Sequence, residues 1–320
     1  MNGSFRFKKR GVFSMNNMKT GSKWELNGKY VIITGATSGI GLAAAKAVAA
    51  RGANIGIVAR NEAKANEIAK QINDLSGREA VVDVFLADMA SQKSIRQIAE
   101  VILAKFPRVD VLINNAGALF QNHQLNHDGL EMTWAVNHVG PFLLTMLLLN
   151  RLKESAPARI ITTASHGHKM AKMGINFNDL GAEQLYRPLK KLTGGPTVRY
   201  AQTKLANILF TAELGKRLEG TGVTTYCFDP GLVATNFNQN NGRLASATMA
   251  VMKLFSHSPE KGAETLVWLA ETDEISHQTG QYYVDKKVEL PSVPARDMKA
   301  ANRLWDVSKE QTFLTDRFDL

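Results

Sequence analysis

Two side chains that can exchange and stabilise a proton, Tyr200 and Lys204, stand four residues apart within Val198–Phe210. In a helix this spacing places both on one face, while Leu205 and Leu209 point to the opposite, buried side. A phenol has a pKa of about 10, and a neighbouring ammonium lowers it by stabilising the phenolate. The pair therefore indicates acid–base catalysis at neutral pH, although the same spacing is also common on the solvated faces of ordinary helices.

A glycine-rich segment follows an early apolar run in Lys29–Gly41, which reads KYVIITGATSGIG. The apolar run predicts a strand covered on both faces, and the alanine-rich Leu42–Ala50 predicts a helix directly after it. Gly35, Gly39 and Gly41 allow a tight turn and a close approach of phosphate to the helix N–H groups. The pattern fits a dinucleotide site, but a tight turn without any ligand explains it equally well.

Strands and helices alternate along the rest of the chain. We predict further strands at Ala53–Val58, Val81–Leu86, Val109–Gly117, Arg159–Ala164, Val223–Phe228 and Gln281–Val284. The intervening segments Asn61–Leu75, Ser91–Phe106 and Met132–Glu154 have helical character, with a kink expected at Pro141 in the last of them. This alternation predicts an α/β fold, with a doubly wound parallel sheet that carries helices on both faces in a single domain.

Two residues at predicted strand ends bear on nucleotide choice. Arg60 follows the second strand, where an enzyme that prefers NAD usually offers a carboxylate to the ribose 2′-hydroxyl and an arginine pairs with a 2′-phosphate. Asp88 follows the third strand, where a carboxylate can accept a hydrogen bond from an adenine amino group. Arg60 favours NADP, with a solvated loop residue as the alternative, and Asp88 fits a cap of the following helix equally well.

Charge is concentrated at the start of the chain. The formal net charge is +10, and residues 1–24 hold six basic residues and no acidic one. We expect a basic, disordered extension at 1–24 before a folded domain at 25–320; a transit peptide, a membrane-surface tether and a true start at Met15 or Met18 remain alternatives. The domain itself is nearly balanced and has no basic stripe interleaved with aromatic residues, which argues against nucleic-acid binding.

The remaining composition indicates a cytoplasmic protein. Cys227 is the one cysteine, so no internal disulfide can form, and its position in a predicted strand suggests a buried, inert thiol. The most apolar run, Phe142–Leu149, is too short to span a bilayer, so no transmembrane segment is expected.

Taken together and in this order, the motifs resemble the short-chain dehydrogenase/reductase superfamily over about residues 25–315. The matching elements are Thr34–Gly41 (TGATSGIG), Asn114–Gly117 (NNAG), Asn137, Ser165, Tyr200–Lys204 (YAQTK) and Asp229–Gly231 (DPG). The resemblance implies a Rossmann fold and reversible hydride transfer between a nicotinamide cofactor and a carbonyl or alcohol carbon.

A closer resemblance, to the retinol dehydrogenase-like subgroup, includes the tail of the chain. It is carried by Ser165 with His168, Asn178–Leu180, Lys204–Phe210, Leu304–Trp305 and Ser308. Two features depart from that subgroup. Membrane-bound retinol dehydrogenases usually carry an apolar N-terminal anchor, and from residues 1–24 we expect none here. In addition, Ala164 replaces the first residue of a frequent serine pair, while Ser165 is retained.

The resemblance assigns catalytic roles to four residues. Tyr200 would exchange a proton with the substrate oxygen, Lys204 would lower the pKa of Tyr200 and bind the nicotinamide ribose, and Ser165 would hold the substrate oxygen. Asn137 would bend its helix and hold a water that links Lys204 to solvent. His166 and His168 lie near Ser165, but no G-x-S-x-G elbow surrounds that serine, which argues against a hydrolase.

The resemblance also implies the residues that contact the cofactor, expected to be NADP (NADPH). They are Gly35, Thr37, Ser38, Gly39, Ile40, Gly41, Arg60, Asp88, Met89, Asn114, Ala116, Gly117, Tyr200, Lys204, Pro230, Gly231 and Thr235. No metal site is expected.

Apolar residues in two segments suggest a lipophilic carbonyl or alcohol substrate, with ordinary packing as an equal alternative. They are Met170, Met173, Leu185 and Tyr186 between Ser165 and Tyr200, and Phe237, Leu244, Met249, Met252 and Phe255 in a possible lid after Gly231. By family analogy, helices beginning near Met132 and Thr197 would form a homo-oligomer interface. The alternative functions are a protochlorophyllide reductase-like double-bond reductase and a catalytically silent NADP-binding sensor.

Overall fold

A computed structural model of the chain describes residues 24–76, 81–233, 257–276 and 278–314. Within these residues one sheet has the strand order β3-β2-β1-β4-β5-β6-β7-β8. The strands are β1 (Tyr30–Thr34), β2 (Asn54–Ala59), β3 (Val82–Leu86), β4 (Val111–Asn114), β5 (Ala158–Thr163), β6 (Val223–Asp229), β7 (Gln281–Val284) and β8 (Lys287–Val288). Strands β1 to β7 pair in parallel, and only the short edge strand β8 is antiparallel. The predicted doubly wound sheet is confirmed.

Helices cover both faces of the sheet, as the sequence predicts. They are α1 (Gly39–Ala49), α2 (Glu62–Ser76), α3 (Gln92–Lys105), α4 (Met132–Trp134), α5 (Gly140–Glu154), α6 (Glu183–Tyr186), α7 (Pro188–Leu192), α8 (Gly195–Arg217), α9 (Pro259–Glu271) and α10 (Met298–Gln311). One core cluster lies beneath α1, α2 and α9, and a second contains residues of α3, α5, α8 and α10. The chain order reverses between β1 and β4, which is where doubly wound sheets bind ligands at the carboxyl ends of their strands.

The helical segment Met132–Glu154 is interrupted by a π-helix at Ala135–Val139. By length and composition the whole segment could cross a membrane, with a mean hydropathy of 1.4 over its most apolar window, but 89% of that window is buried inside the protein. The segment therefore packs as a core helix. The apolar stretch is thus longer than the run Phe142–Leu149 considered from the sequence.

The C-terminal helix α10 covers the helices expected to meet a second chain. The Trp305 ring lies 5.3 Å from that of Phe142 in α5 and 6.2 Å from that of Phe210 in α8. Both partners are buried within one chain. The oligomer interface proposed from the family analogy would have to use other surfaces of these helices.

Trp24, which the sequence analysis assigns to the basic extension, packs against the domain. Trp24 is buried, and its indole N–H donates to the Ala270 carbonyl at 2.7 Å. The Arg159 guanidinium stacks 4.2 Å from the same ring. Trp24 is therefore part of the domain and not of the basic extension. Thr235 and the proposed lid residues lie outside the described residues.

Candidate active site

Glycines 35 and 41 allow the β1–α1 turn to pack closely against the end of β4. Gly35 has φ +71°, and a Cβ atom there would lie 2.9 Å from the Ala116 Cα. A Cβ at Gly41 would lie 2.4 Å from both the Gly35 carbonyl oxygen and the Asn115 Nδ2. Any side chain at either position would displace this turn. Close backbone packing between the β1–α1 turn and the end of β4 therefore requires glycine at both of these positions. This packing lies where the strand order of the sheet reverses.

Asn115, which the sequence analysis does not name among the cofactor-binding residues, connects β4 to this turn. Its Nδ2 donates to the Thr34 carbonyl at 3.1 Å, and the backbone N–H groups of Asn115 and Ala116 both donate to the Thr34 Oγ1 at 3.0 Å. The Asn114 side chain points to the opposite face and donates to the Thr145 Oγ1 at 2.9 Å. Successive strand residues alternate faces, so the Asn114 side chain is directed into the core and away from the cleft.

The N-terminus of α1 is open to an anionic group. Ser38 occupies the N-cap position but makes no side-chain cap hydrogen bond, so its hydroxyl leaves the first helical N–H groups of α1 uncapped. Thr37 and Ile40 flank this position. The glycine cradle and the uncapped helix start together fit a nucleotide pyrophosphate.

The loop after β6 runs beside the start of α1. A Cβ at Gly262 of α9 would lie 2.5 Å from a Val233 methyl and 3.3 Å from the Ile40 Cγ1, so both side chains pack against α9 at this glycine. Gly231 has φ +73°, and its N–H donates to the Asp229 Oδ1 at 2.9 Å. Pro230 and Gly231 therefore begin the loop whose Val233 packs against α9, as does Ile40 of α1.

Three residues predicted to bind the cofactor after β2 and β3 have different surroundings. Arg60 is exposed directly after β2. The Asp88 Oδ1 accepts from the Ala90 N–H at 2.9 Å, whereas Ser91 caps α3, so Asp88 is not that cap. The Met89 side chain is buried in the core.

Ser165 and Tyr200 meet at the carboxyl end of β5. The Ser165 hydroxyl hydrogen-bonds the Tyr200 side chain. A Cβ at Gly167 would lie 3.3 Å from the Ser165 Oγ and 3.8 Å from the Tyr200 Cε1, so a glycine keeps the space beside them open. Burial raises the pKa of Tyr200, although the bond from Ser165 opposes this effect. The expected lowering by Lys204 is therefore not found: burial, a tertiary effect, dominates.

Lys204 lies one helical turn from Tyr200, as predicted. Its Nζ is 5.5 Å from the centre of the Tyr200 ring and donates to the Thr163 carbonyl at 3.0 Å. Burial lowers the pKa of Lys204 to about 8, and the carboxylate of Asp229 partly offsets this effect. A Cβ at Gly117 would lie 3.6 Å from the Nζ, which places the ammonium beside the open strand end of β4.

Asn137 joins the β4 loop to the Tyr200 helix. Its Oδ1 accepts from the Ala118 N–H at 2.7 Å, and its Nδ2 donates to the Ala118 carbonyl at 2.9 Å and to the Thr203 Oγ1 at 3.0 Å. Asn137 lies in the π-helix, and Pro141, lacking an N–H, cannot donate the i+4 bond to its carbonyl. The irregularity that we predicted as a proline kink is therefore a π-helix just before the proline.

Two histidines near Ser165 have structural surroundings. His168 is buried; its Nδ1 lies 2.8 Å from the Ser165 carbonyl, and its Nε2 accepts from the Ser292 N–H at 3.2 Å. His166 is mostly exposed, with its Nδ1 3.7 Å from the Asp229 Oδ2. His168 bonds the Ser165 backbone and not its hydroxyl, which fits positioning of the serine and gives no support to a hydrolase.

A buried ion pair that the sequence analysis missed holds the start of α8. The Arg199 Nε donates to the Glu131 Oε2 at 2.7 Å, and the Tyr186 hydroxyl donates to the Glu131 Oε1 at 2.9 Å. Glu131 also caps α4 by accepting from the N–H groups of Thr133 and Trp134. Tyr186, considered above as a substrate contact, is therefore a structural residue. The only sequence signal was an acidic residue directly before a helix.

The segment after Ser165 exposes methionine side chains. Met170 is 50% exposed and Met173 is 96% exposed. A cavity of about 640 Å³ lies between residues 172–177 and residues 293–303, and Leu205 also lines it. Neither Ser165 nor Tyr200 lines that cavity, so it is separate from the residues predicted to be catalytic. Elsewhere, Cys227 is buried and burial raises the pKa of its thiol to about 12, as expected for an inert thiol.

A tight glycine turn lies where the strand order of the sheet reverses, and a tyrosine, a serine and a lysine lie at the same edge of the sheet. Oxidoreductases that use a nicotinamide nucleotide have this arrangement. Sequence comparisons agree with this class. The profile of the short chain dehydrogenase family matches residues 29–176. The chain belongs to the short-chain dehydrogenase/reductase superfamily, and within it the sequence is retinol dehydrogenase-like.

The relatives match over most of the chain. Retinol dehydrogenase 11 of Homo sapiens is 39% identical over 284 residues, which cover 89% of this chain and 86% of that protein. Retinol dehydrogenase 12 of Mus musculus is 40% identical over 286 residues, covering 89% and 87% respectively. A crystal structure of a protein from Mycobacterium Paratuberculosis, 28% identical, superimposes with a TM-score of 0.70 over 91% of this chain and 96% of that one.

Proposed function

We propose that this protein is an NADP-dependent oxidoreductase that interconverts a carbonyl and an alcohol on a lipophilic substrate. The observation that carries the proposal is the hydrogen bond between Ser165 and Tyr200, with the Lys204 ammonium 5.5 Å from the phenol ring. These groups can manage one proton on a substrate oxygen, which is the part of the chemistry that the protein must supply.

The residues at the switch point fit a nicotinamide nucleotide. The turn at Gly35 and the start of α1 would hold the pyrophosphate, and Gly117 and Lys204 would face the nicotinamide ribose. When bound, the cofactor supplies or accepts the hydride. The start of α1, where Ser38 makes no side-chain cap hydrogen bond, supports this assignment.

Each residue of the proton-transfer group has a distinct role. The raised pKa keeps Tyr200 protonated at neutral pH, so in the reductive direction it can donate its proton to the substrate oxygen. Ser165 accepts from the Gly167 N–H at 3.1 Å, which orients its hydroxyl to donate to the same oxygen. The Lys204 ammonium stabilises the phenolate that Tyr200 becomes. In the oxidative direction the tyrosinate takes the proton back.

The choice of NADP rests on Arg60. It is exposed directly after β2, and the preceding residue is Ala59, so no carboxylate stands at the strand end to accept from a ribose 2′-hydroxyl. A guanidinium at this place is suited to a 2′-phosphate.

The lipophilic substrate class is supported by the names of the relatives and by surface chemistry near Ser165. The curated relatives reported above are retinol dehydrogenases, which act on a lipophilic alcohol. In this chain Met170 and Met173 expose flexible apolar side chains on the segment after Ser165.

The first test is cofactor binding followed by turnover in the same sample. NADPH should bind more tightly than NADH by fluorescence, and NADPH should then be oxidised with a panel of aldehydes, ketones and quinones that includes retinal. Binding without turnover of any panel member would favour the silent NADP-binding sensor. Reduction of a tetrapyrrole double bond, with no carbonyl reduced, would favour the protochlorophyllide reductase-like alternative. Failure to bind either nucleotide would refute the proposal.

A further inference from the structure

His168 is a buried titratable residue that the proposed mechanism does not use. It lies three residues after Ser165, in the short 3₁₀ helix His166–Met170, and its side chain is fully buried. Its ring packs edge-on against that of Tyr282 in β7, with 5.4 Å between the ring centres. Because the ring is withdrawn from solvent, each of its nitrogens needs a partner within the protein.

The two ring nitrogens of His168 face partners of opposite hydrogen-bonding type. The Nδ1 lies 2.8 Å from the Ser165 carbonyl oxygen, and the Ser292 N–H donates to the Nε2 at 3.2 Å. A carbonyl oxygen can only accept, so the Nδ1 must carry a proton. A backbone N–H can only donate, so the Nε2 must be unprotonated. These contacts allow one state of His168, the neutral ring with its proton on Nδ1.

The surroundings of the ring favour a neutral state. Burial lowers the pKa of His168, the hydrogen bond to the Ser165 carbonyl opposes this effect, and the net pKa lies below the ordinary value of 6.5. In the described residues, the charged or titratable groups that face the ring are Lys169 and His166 on its own segment, Asp229 at the end of β6 and Tyr282 on β7. A second proton, on Nε2, would also direct two N–H groups at each other.

Ser165 is held by the turn that contains His168. The Ser165 carbonyl accepts from the His168 backbone N–H at 3.0 Å as well as from the Nδ1, so both lone pairs of this oxygen are used. The Ser165 Oγ accepts from the Gly167 N–H at 3.1 Å. The Nδ1 bond is the one of these three that a side chain donates, and it exists only while the Nδ1 carries the proton.

The Ser292 N–H comes from a segment distant in sequence. Ser292 directly precedes the short 3₁₀ helix Val293–Arg296 and lies 124 positions after His168. The two segments also pack together at Gly174, where a Cβ would lie 3.8 Å from the Pro294 Cβ. Since the bond at one ring nitrogen decides which nitrogen carries the proton, this segment sets the tautomer of His168.

We propose that His168 is a positioning residue for Ser165, which it holds by donating from Nδ1 to the Ser165 carbonyl, and that the Ser292 N–H selects the tautomer able to donate. This inference rests on the proposed function, since it concerns the serine assigned to the substrate oxygen. His168 acts on the Ser165 hydroxyl through the backbone of that residue and takes no part in the proton transfer itself.

The first test determines the protonation state of His168 in the protein without added nucleotide. Histidine labelled with ¹⁵N in the ring gives different NMR signals for protonated and unprotonated nitrogens, and the signals lost in His168→Gln assign the residue. At neutral pH the Nδ1 should carry the proton and the Nε2 should carry none, and this state should persist when the pH is lowered past 6.5. A proton on Nε2 at neutral pH would overturn the proposal.

Ser292→Pro tests the selection of the tautomer, because it removes the backbone N–H. Ser292 has φ −56°, which a proline ring accommodates, and within the described residues its Oγ has no hydrogen-bond partner to lose. The NMR signals of His168 should then show protonation at both nitrogens, as expected for a mixture of tautomers. An unchanged tautomer would overturn the role of Ser292.

Two substitutions of His168 separate positioning from a general loss of packing. An asparagine amide reaches about as far as the Nδ1, so His168→Asn keeps a donor for the Ser165 carbonyl. A glutamine amide reaches about as far as the Nε2, so His168→Gln keeps a partner for Ser292 and loses the bond to Ser165. His168→Gln should lower kcat by about tenfold to a hundredfold with KM for the nucleotide unchanged, whereas His168→Asn should retain kcat within about threefold.

Tyr226→Phe is the matched control for these variants. It removes another buried hydrogen bond, 2.9 Å to the Ile275 carbonyl, in the core cluster beneath α1, α2 and α9. It should leave both the His168 tautomer and kcat unchanged. Equal losses of kcat in His168→Asn and His168→Gln would overturn the positioning role. If the unmodified protein reduces no carbonyl, the proposed function fails, while the NMR signals still decide whether His168 donates to Ser165.

Discussion

Arg199 and Tyr200 are consecutive residues of α8, yet they lie in opposite kinds of surroundings. The Arg199 guanidinium donates to Glu131, to the Gln202 side chain at 3.3 Å and to the Leu180 carbonyl, and both members of the ion pair are at most 1% exposed. Tyr200 is half-buried and bonds Ser165, at an edge where a glycine keeps the neighbouring space open.

The two sites also differ in how far a neighbouring opposite charge compensates the burial of the charged group. Burial acts to raise the pKa of Glu131, but the charge and hydrogen bond of Arg199 outweigh it, and the net pKa lies below the usual value. For Lys204 burial outweighs the carboxylate of Asp229, and the pKa falls to about 8. A fully paired charge serves the fold, whereas an incompletely balanced one remains able to change its protonation state.

Tyr200→Phe is the change that should separate the two sites most clearly. It removes only the hydroxyl, so kcat should fall by about 10²- to 10⁴-fold because the proton donor is lost. NADPH affinity, measured by fluorescence, and the free energy of unfolding in urea should stay close to wild type. Residual activity within about tenfold of wild type would show that the proton comes from another group.

Glu131→Gln should have the opposite profile. It leaves the Arg199 charge buried without a counter-ion, and we expect a loss of about 3–5 kcal/mol in the free energy of unfolding. Combining it with Arg199→Met should restore part of the stability, because no unpaired charge remains. The control is Glu271→Gln, which breaks the partly exposed pair with Arg51 and should cost about 1 kcal/mol or less. Equal losses for the two single variants would contradict the comparison.

The dependence of the free energy of unfolding on pH should also show that the Glu131 carboxylate is stabilised in the folded state. Because the folded pKa of Glu131 is lowered, its contribution is fully present above the unfolded pKa of 4.5 and is lost as the pH falls through the folded value. Urea unfolding of wild type should therefore show stability falling as the pH drops below about 4.5, more steeply than in Glu131→Gln. Parallel curves for the two proteins would show that Glu131 is not ionised in the folded state.

The fold and the order of the site motifs could be predicted from the sequence, because both depend on local patterns. Buried strands followed by glycines or small polar residues identify the carboxyl edge of the sheet, and the Tyr200–Lys204 spacing is fixed by the helical period. The sequence predicts that α8 begins near Thr197, two residues too late, because Gly195–Pro196 reads as a turn, although proline is also suited to a first helical turn.

The features that the sequence does not predict share a physical cause: each depends on contacts between residues that are distant in sequence. Glu131 and Arg199 are 68 positions apart, and neither periodicity nor composition pairs them. The choice between Asn114 and Asn115 depends on which face of the strand each occupies, and two adjacent asparagines carry no local signal for it. Likewise, the direction of the Tyr200 pKa shift follows from the depth of its burial.

Lys204 should impose an upper pH limit on activity. With a pKa of about 8, its ammonium is lost as the pH rises above that value, so kcat/KM for carbonyl reduction should fall by about tenfold per pH unit beyond it. The Asp229 carboxylate favours the charged lysine, and Asp229→Asn should move this limit to lower pH. A kcat/KM that stays constant to pH 10 in both proteins would mean that the charge of Lys204 is not needed.

Arg60→Asp extends the comparison to a second arginine, because the Arg60 side chain is exposed whereas the Arg199 side chain is buried. Reversing this charge should weaken NADPH binding by about tenfold or more and improve NADH binding, because a carboxylate repels the 2′-phosphate and accepts from a 2′-hydroxyl. The free energy of unfolding should change by about 0.5 kcal/mol or less, as is usual for surface positions. The two dissociation constants and a urea unfolding curve measure both effects on one preparation. An unchanged cofactor preference would mean that Arg60 does not contact the 2′-phosphate, and the preference would then have to be set by the turn at Thr37–Ser38.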